Sequence, residues 1–169
     1  DSWVYQGVVQ GTDGSIHLIW TPFNGTIGNG YETKYIYYAK TTDFGATFRK
    51  ADGTAYSLPI TTGTAEKVVT GGTKNVFAAN SMLALDTNNR PVFTYGDWDS
   101  GYMKDAFWKM YVVRWNGSSW VKNTISTSSS WIGAQTVITS NGKIHVYTGL
   151  KNTINDGTRK PRLFTSTDS

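Results

Sequence analysis

Gly14-Ser15-Ile16-His17-Leu18-Ile19-Trp20 and Gly142-Lys143-Ile144-His145-Val146-Tyr147-Thr148 are one pattern written twice in this chain of 169 residues. The first copy leads to Tyr38-Ala39-Lys40-Thr41-Thr42-Asp43-Phe44-Gly45-Ala46-Thr47-Phe48, and the second to Leu163-Phe164-Thr165-Ser166-Thr167-Asp168-Ser169. Each sets a Gly-x-Ile-His strand start ahead of an S/T-x-Asp turn at nearly the same separation. An internal repeat of this kind decides architecture before any single residue decides chemistry.

Working outward, short runs of aromatic and β-branched residues are broken throughout by Gly, Asn and Asp, which is strand and turn chemistry. A turn-length helix candidate over 64–69 is the exception. Three units emerge, at about 1–50, 77–126 and 132–169, with a Gly- and Thr-rich segment, 51–76, read as an insertion with little regular structure. The first unit is expected to hold strands near 4–9, 16–21, 34–40 and 47–50. The second is expected to hold them near 81–85, 91–95, 107–115 and 120–125. In the third they fall near 134–138, 144–147 and 161–165, with no fourth. Asp13-Gly14, Asn116-Gly117 and Asn141-Gly142 are hairpin turns, because Asn or Asp followed by Gly tolerates the positive φ of a tight reversal. Four antiparallel strands per repeated unit define an all-β fold, a β-propeller of four-stranded blades. The chain covers about two and a half of them, a partial propeller. Blades need neighbours to cover their edges, so the remaining blades are expected from a longer chain or from oligomer partners.

Composition agrees. Twenty-four aromatics and 18 Gly accompany only 17% charged residues, which excludes disorder and long solvated helices. With no cysteine, disulfides, thiolate zinc sites and cysteine nucleophiles are excluded. No apolar stretch is long enough to span a membrane as a helix. The net charge of +4 comes from scattered Lys and Arg, with a tighter group at Lys151, Arg159, Lys160 and Arg162. Two readings stand: a solvated surface, or attraction to an acidic glycan. Nucleic acid is not expected, since no reader motif accompanies the charge.

Thr41-Thr42-Asp43-Phe44-Gly45-Ala46-Thr47-Phe48 resembles the Asp box, S/T-x-D-x-G-x-T-W/F, of the bacterial neuraminidase repeat superfamily, and Ser166-Thr167-Asp168-Ser169 is similar to its first half. The Ile-His strand, the Tyr-Tyr-Ala strand, the box, Arg49-Lys50-Ala51-Asp52-Gly53, Leu58-Pro59-Ile60 and Asn80-Ser81-Met82-Leu83-Ala84-Leu85-Asp86 together resemble the branch containing ulvan-type polysaccharide lyases. The resemblance implies a carbohydrate-active propeller, secreted or periplasmic, that cleaves an acidic, uronate-containing polysaccharide by β-elimination. A non-catalytic glycan-binding propeller and a purely structural repeat are the alternatives. It also implies that Asp43, Gly45 and Asp168 are structural turn residues.

β-Elimination requires a cation for the carboxylate, a base for the C5 proton and an acid for the leaving oxygen. The catalytic candidates are Tyr95, Lys109, Arg114 and His17, with Tyr95 and Arg114 on neighbouring strands able to supply acid and clamp. The alternative reading has Tyr95 and Tyr111 packing between blades and Lys109 and Arg114 solvated. His17 and His145 share one position in the repeat, which favours a role in fixing the blade. Trp20, Tyr31, Trp98 and Tyr102 are candidates for stacking on sugar rings, or for the wedges between blades. No cofactor is required. Asp97, Asp99 and Asp105 lie in one loop that could ligate calcium, without an EF-hand spacing. A sialidase reading is weaker, because Glu occurs only at Glu32 and Glu66.

Overall fold

The three repeats build three antiparallel sheets in a computed structural model that describes residues 3–23, 34–71, 75–77, 82–98, 108–126, 134–150 and 160–166. The first sheet is a meander of β1 (Trp3–Gln10), β2 (Ile16–Phe23), β3 (Tyr35–Thr41) and β4 (Glu66–Thr70). In the second, β5 (Asn75–Phe77) and β6 (Leu83–Leu85) share one edge of β7 (Pro91–Trp98). Outward of β7 stand β8 (Trp108–Trp115) and β9 (Trp120–Ser126). The third comprises β10 (Ala134–Ile138), β11 (Ile144–Leu150) and β12 (Lys160–Thr165).

The same five-residue reversal opens each sheet. Gly11, Asp86 and Thr139 are linked by backbone hydrogen bonds to Ser15, Arg90 and Lys143. Its fourth position is left-handed in every copy, at Gly14, Asn89 and Gly142, with φ of 83°, 55° and 82°. Asn89 takes the place of glycine because a short polar side chain tolerates this region. Its Oδ1 also accepts from the N–H and hydroxyl of Thr12, at 3.0 and 3.1 Å, tying the second blade's turn to the first's.

One expected strand moves. The fourth strand of the first unit is β4, inside the segment read as an insertion and across the helix candidate, and not 47–50. Phe44 and Gly45 both take positive φ in the Asp box, so the chain doubles back sharply. Only Arg49 then reaches Lys40, through paired backbone bonds of 2.8 and 2.9 Å. A second reversal follows at once, with the Lys50 N–H donating to the Thr54 carbonyl. The edge of β3 is left for Glu66–Thr70, whose Val-Val-Thr run suits a pleated surface.

Side chains alternate across each sheet. His17, Ile19 and Thr21 of β2 face the second blade, whose Phe93 and Tyr95 face back. Thr94 and Thr136 join the second blade to the third through a 3.2 Å hydroxyl pair, and Thr136 donates to the Met82 carbonyl at 2.7 Å. The core between the first two blades centres on Ile19, Ile36, Tyr38 and Phe93, all fully buried. Into it Trp120 drives edgewise against Tyr38, Phe93 and Trp115, with centroids 5.2, 6.0 and 5.4 Å away. Its indole N–H donates to Glu66 Oε1 of the first blade at 2.8 Å, while Glu66 Oε2 accepts from the Ala51 N–H.

Candidate functional site

The cleft between the first two blades is apolar in the middle and polar at both ends. At the end away from the five-residue turns, Asp97 pairs across strands with Lys109 and Tyr95 with Tyr111. All four side chains share the sheet face turned toward the first blade. The Tyr95 and Tyr111 rings stack at 5.0 Å and 20°, and the Lys122 ammonium lies 4.8 Å over Tyr111. Burial, then the charge of Asp97 and the neighbouring Tyr111, push the Tyr95 phenol above its usual range. It therefore keeps its proton and suits an acid or a packing group more than a base. From β2, Thr21 reaches the same end of the cleft, fully buried, its hydroxyl without a hydrogen-bond partner among the described residues.

The opposite end holds a chain of hydrogen bonds. Ser15 Oγ lies 2.5 Å from Asp13 Oδ1 and 2.8 Å from His17 Nε2, and His17 Nδ1 lies 2.7 Å from the Tyr38 hydroxyl. Proton counting assigns every donor. A carboxylate only accepts, so Ser15 donates to Asp13 and accepts from Nε2–H, which leaves Nδ1 to accept from Tyr38. His17 is 2% exposed. Burial first, and Lys40 second, lower its pKa to about 4 against a smaller opposing effect of Asp13. The ring is thus neutral near pH 7 and both nitrogens are committed. The chain lines a cavity of about 300 Å³ with Lys40 and Arg90.

The register sorts the other candidates. Arg114 is three residues beyond Tyr111, on the opposite face of β8 and toward the turns, so the sheet separates it from Tyr95. It faces the third blade, and its Nε is buried without a partner among the described residues. Trp20 likewise occupies the far face of β2, stacked on its cross-strand partner Tyr37 at 5.5 Å. Tyr35 stands 5.8 Å from Tyr37 and carries the Lys67 ammonium at 4.7 Å. His145 holds the repeat position of His17 but meets Thr165, at 3.1 Å from Nδ1, and among the described residues no buried tyrosine. The backbone of Trp98 ends β7 opposite Trp108. Tyr31, Tyr102, Asp99, Asp105 and Asp168 lie outside the described residues. Among the described residues no cluster of His, Asp or Glu is placed to hold a metal ion.

Asp43 closes the box. One carboxylate oxygen accepts from the Thr41 hydroxyl and the Thr47 N–H, at 2.8 and 2.9 Å, and the other from the Thr47 hydroxyl at 2.6 Å. These donors, those of Thr47 foremost, lower its pKa to about 2. Sequence reasoning missed the partners of His17. Asp13 accepts from both the N–H and the hydroxyl of Ser15 two residues on, a local turn contact that was readable; Tyr38 required the β2–β3 register. Glu66 and Trp120, 54 residues apart, left no local trace.

Residues 3–128 match the model of a BNR repeat-containing family. The sequence matches none of the curated proteins. Among solved structures, the chain is similar to a polysaccharide lyase of a new family, an ulvan lyase, with a TM-score of 0.76 and 17% identity over 98% of this chain and 40% of that one. The same values hold for its structure bound to -[GlcA(1-4)Rha3S]-. A protein of unknown function from Dyadobacter fermentans is similar with a TM-score of 0.60 and 14% identity, over 98% of this chain and 51% of that one. The chain therefore spans about two fifths of the length of the ulvan lyase. Its fold is a partial β-propeller.

Proposed function

The chain belongs to the BNR repeat-containing family, and we propose that it is part of a carbohydrate-active propeller that binds and cleaves an acidic polysaccharide by β-elimination. In that reaction a base removes the C5 proton of a uronate, the C4–O4 bond breaks, a C4=C5 double bond forms and the leaving oxygen gains a proton. The observation that carries the proposal is the shared placement of Lys109, Asp97, Tyr95 and Tyr111 on one sheet face at the end of the cleft. The Lys109 ammonium is the group to meet the substrate carboxylate, and Tyr95, buried and protonated, holds Tyr111 and the strand pair in register. Likeness of fold to a lyase whose structure holds -[GlcA(1-4)Rha3S]- supports this reading. Such polymers are met outside the cytoplasm, so the proposal includes a secreted or periplasmic location.

His17 is not assigned as the base, because its two nitrogens are committed at the far end of the cleft. That commitment favours the second reading, a propeller that binds glycan without cleaving it. Incubation with ulvan, alginate and pectin separates the two. Ultraviolet absorbance from an unsaturated uronide marks elimination, whereas binding with no absorbance rise selects the second reading. Lys109→Ala is expected to weaken action on the acidic polymer by about 10–100-fold, the worth of one charge-assisted hydrogen bond. An unchanged response would remove Lys109 from the site.

A further inference from the structure

The internal repeat allows one interface to be compared with the next. Alignment on the five-residue turns gives Leu18, Phe93 and Val146 one position on the second strands. On the third strands Tyr38 and Val112 correspond, being partners of Ile19 and Thr94. On the fourth, Glu66 corresponds to Asn123, since they pair with Tyr38 and Val112. Ser166, just past β12, corresponds to Trp115. Between the first two blades, Tyr38, Phe93, Trp115 and Glu66 are the four residues that hold Trp120. Their counterparts between the second and third blades are Val112, Val146, Ser166 and Asn123. All four line a single cavity of about 340 Å³, together with Arg114. There the Arg114 Nε is buried and has no partner among the described residues.

We infer that this cavity is the socket for an aromatic side chain, a tryptophan by analogy with Trp120, at the start of a fourth strand added antiparallel to β12. Among the described residues no strand pairs with the outer edge of β12. The occupant is assigned as a strand segment that opens on tryptophan, the chemistry of Trp120–Ser126, because the cavity repeats, position for position, the residues that hold Trp120. In the socket the indole N–H donates to Asn123 Oδ1, as Trp120 donates to Glu66, and the ring covers Val112 and Val146.

The test titrates the 169-residue chain with a peptide copy of Trp120–Ser126, and with the same peptide carrying W120A, by calorimetry. One-to-one binding of the tryptophan peptide is expected, weakened at least about tenfold by W120A, as for a buried aromatic anchor. Asn123 is exposed, so Asn123→Leu should fold normally and weaken the tryptophan peptide while leaving the alanine peptide unchanged. Absence of binding, or equal binding of the two peptides, would overturn the socket. A dimer of the chain that the tryptophan peptide dissociates would support the socket and identify a second copy as its occupant.

Discussion

Replacing Trp120 by phenylalanine separates the two things this residue does. The ring wedges between Tyr38, Phe93 and Trp115, and the N–H satisfies Glu66 Oε1 at 2.8 Å. Phenylalanine keeps most of the wedge and deletes the donor. Glu66 retains the Ala51 N–H on its other oxygen, so one half of its carboxylate loses its protein partner. A hydrogen bond to a charged group contributes about 1.5–3 kcal/mol, so Trp120→Phe should destabilise the fold by that amount. For a chain of this size the loss corresponds to a melting point lower by roughly 3–12 °C. Trp120→Ala, which also removes the wedge, should cost about 3–5 kcal/mol from the lost aromatic alone. The assay is urea unfolding of Trp120→Phe, Glu66→Ala and the double variant. Partners in direct contact should show a coupling energy above about 0.5 kcal/mol. If the two substitutions add within that margin, the reasoning that one hydrogen bond clamps the first two blades together is refuted.

Acid should loosen the fold through His17. Its folded pKa of about 4 lies below the ordinary imidazole value of 6.5, so the unfolded chain binds the proton first. The contribution is complete above about pH 6.5 and declines by roughly 3 kcal/mol as pH falls toward 4. His17→Gln should flatten this part of the stability profile, and an unchanged slope in the variant would assign the acid sensitivity elsewhere. Asp43, whose folded pKa is about 2 against 3.8, stabilises above pH 3.8 and ceases to as pH falls through 2; Asp43→Asn should lower the melting point and expose the box to proteolysis at Arg49. Gly11→Ala should destabilise by about 1–3 kcal/mol as overpacking, because a Cβ there would stand 2.5 Å from Asp13 Oδ1, 2.7 Å from Ser15 Oγ and 3.0 Å from Asn89 Oδ1. A melting point equal to that of the parent would show that the turn relaxes.

Local chemistry was legible in the sequence wherever neighbours along the chain determine the geometry. The five-residue turns, the Asp box and most strands follow from Gly, Asn and Asp at places needing positive φ, and from alternating apolar residues between them. The equivalence of His17 and His145 was legible too, since a repeat is a property of the sequence alone. What required the tertiary structure were choices between chemically similar options at long range. Glu66–Thr70, and not 47–50, completes the first blade because two left-handed residues turn the chain away from the edge of β3. Tyr95 and Arg114 were plausible partners by strand adjacency, but a spacing of three between Tyr111 and Arg114 sends the two side chains to opposite faces of the sheet. The partner of the second His17 nitrogen is Tyr38, brought beside it by the β2–β3 register. Turns and strand periods are encoded by a few consecutive residues. Which face meets which blade depends on register and packing among segments as much as 77 residues apart, and no local pattern carries that information.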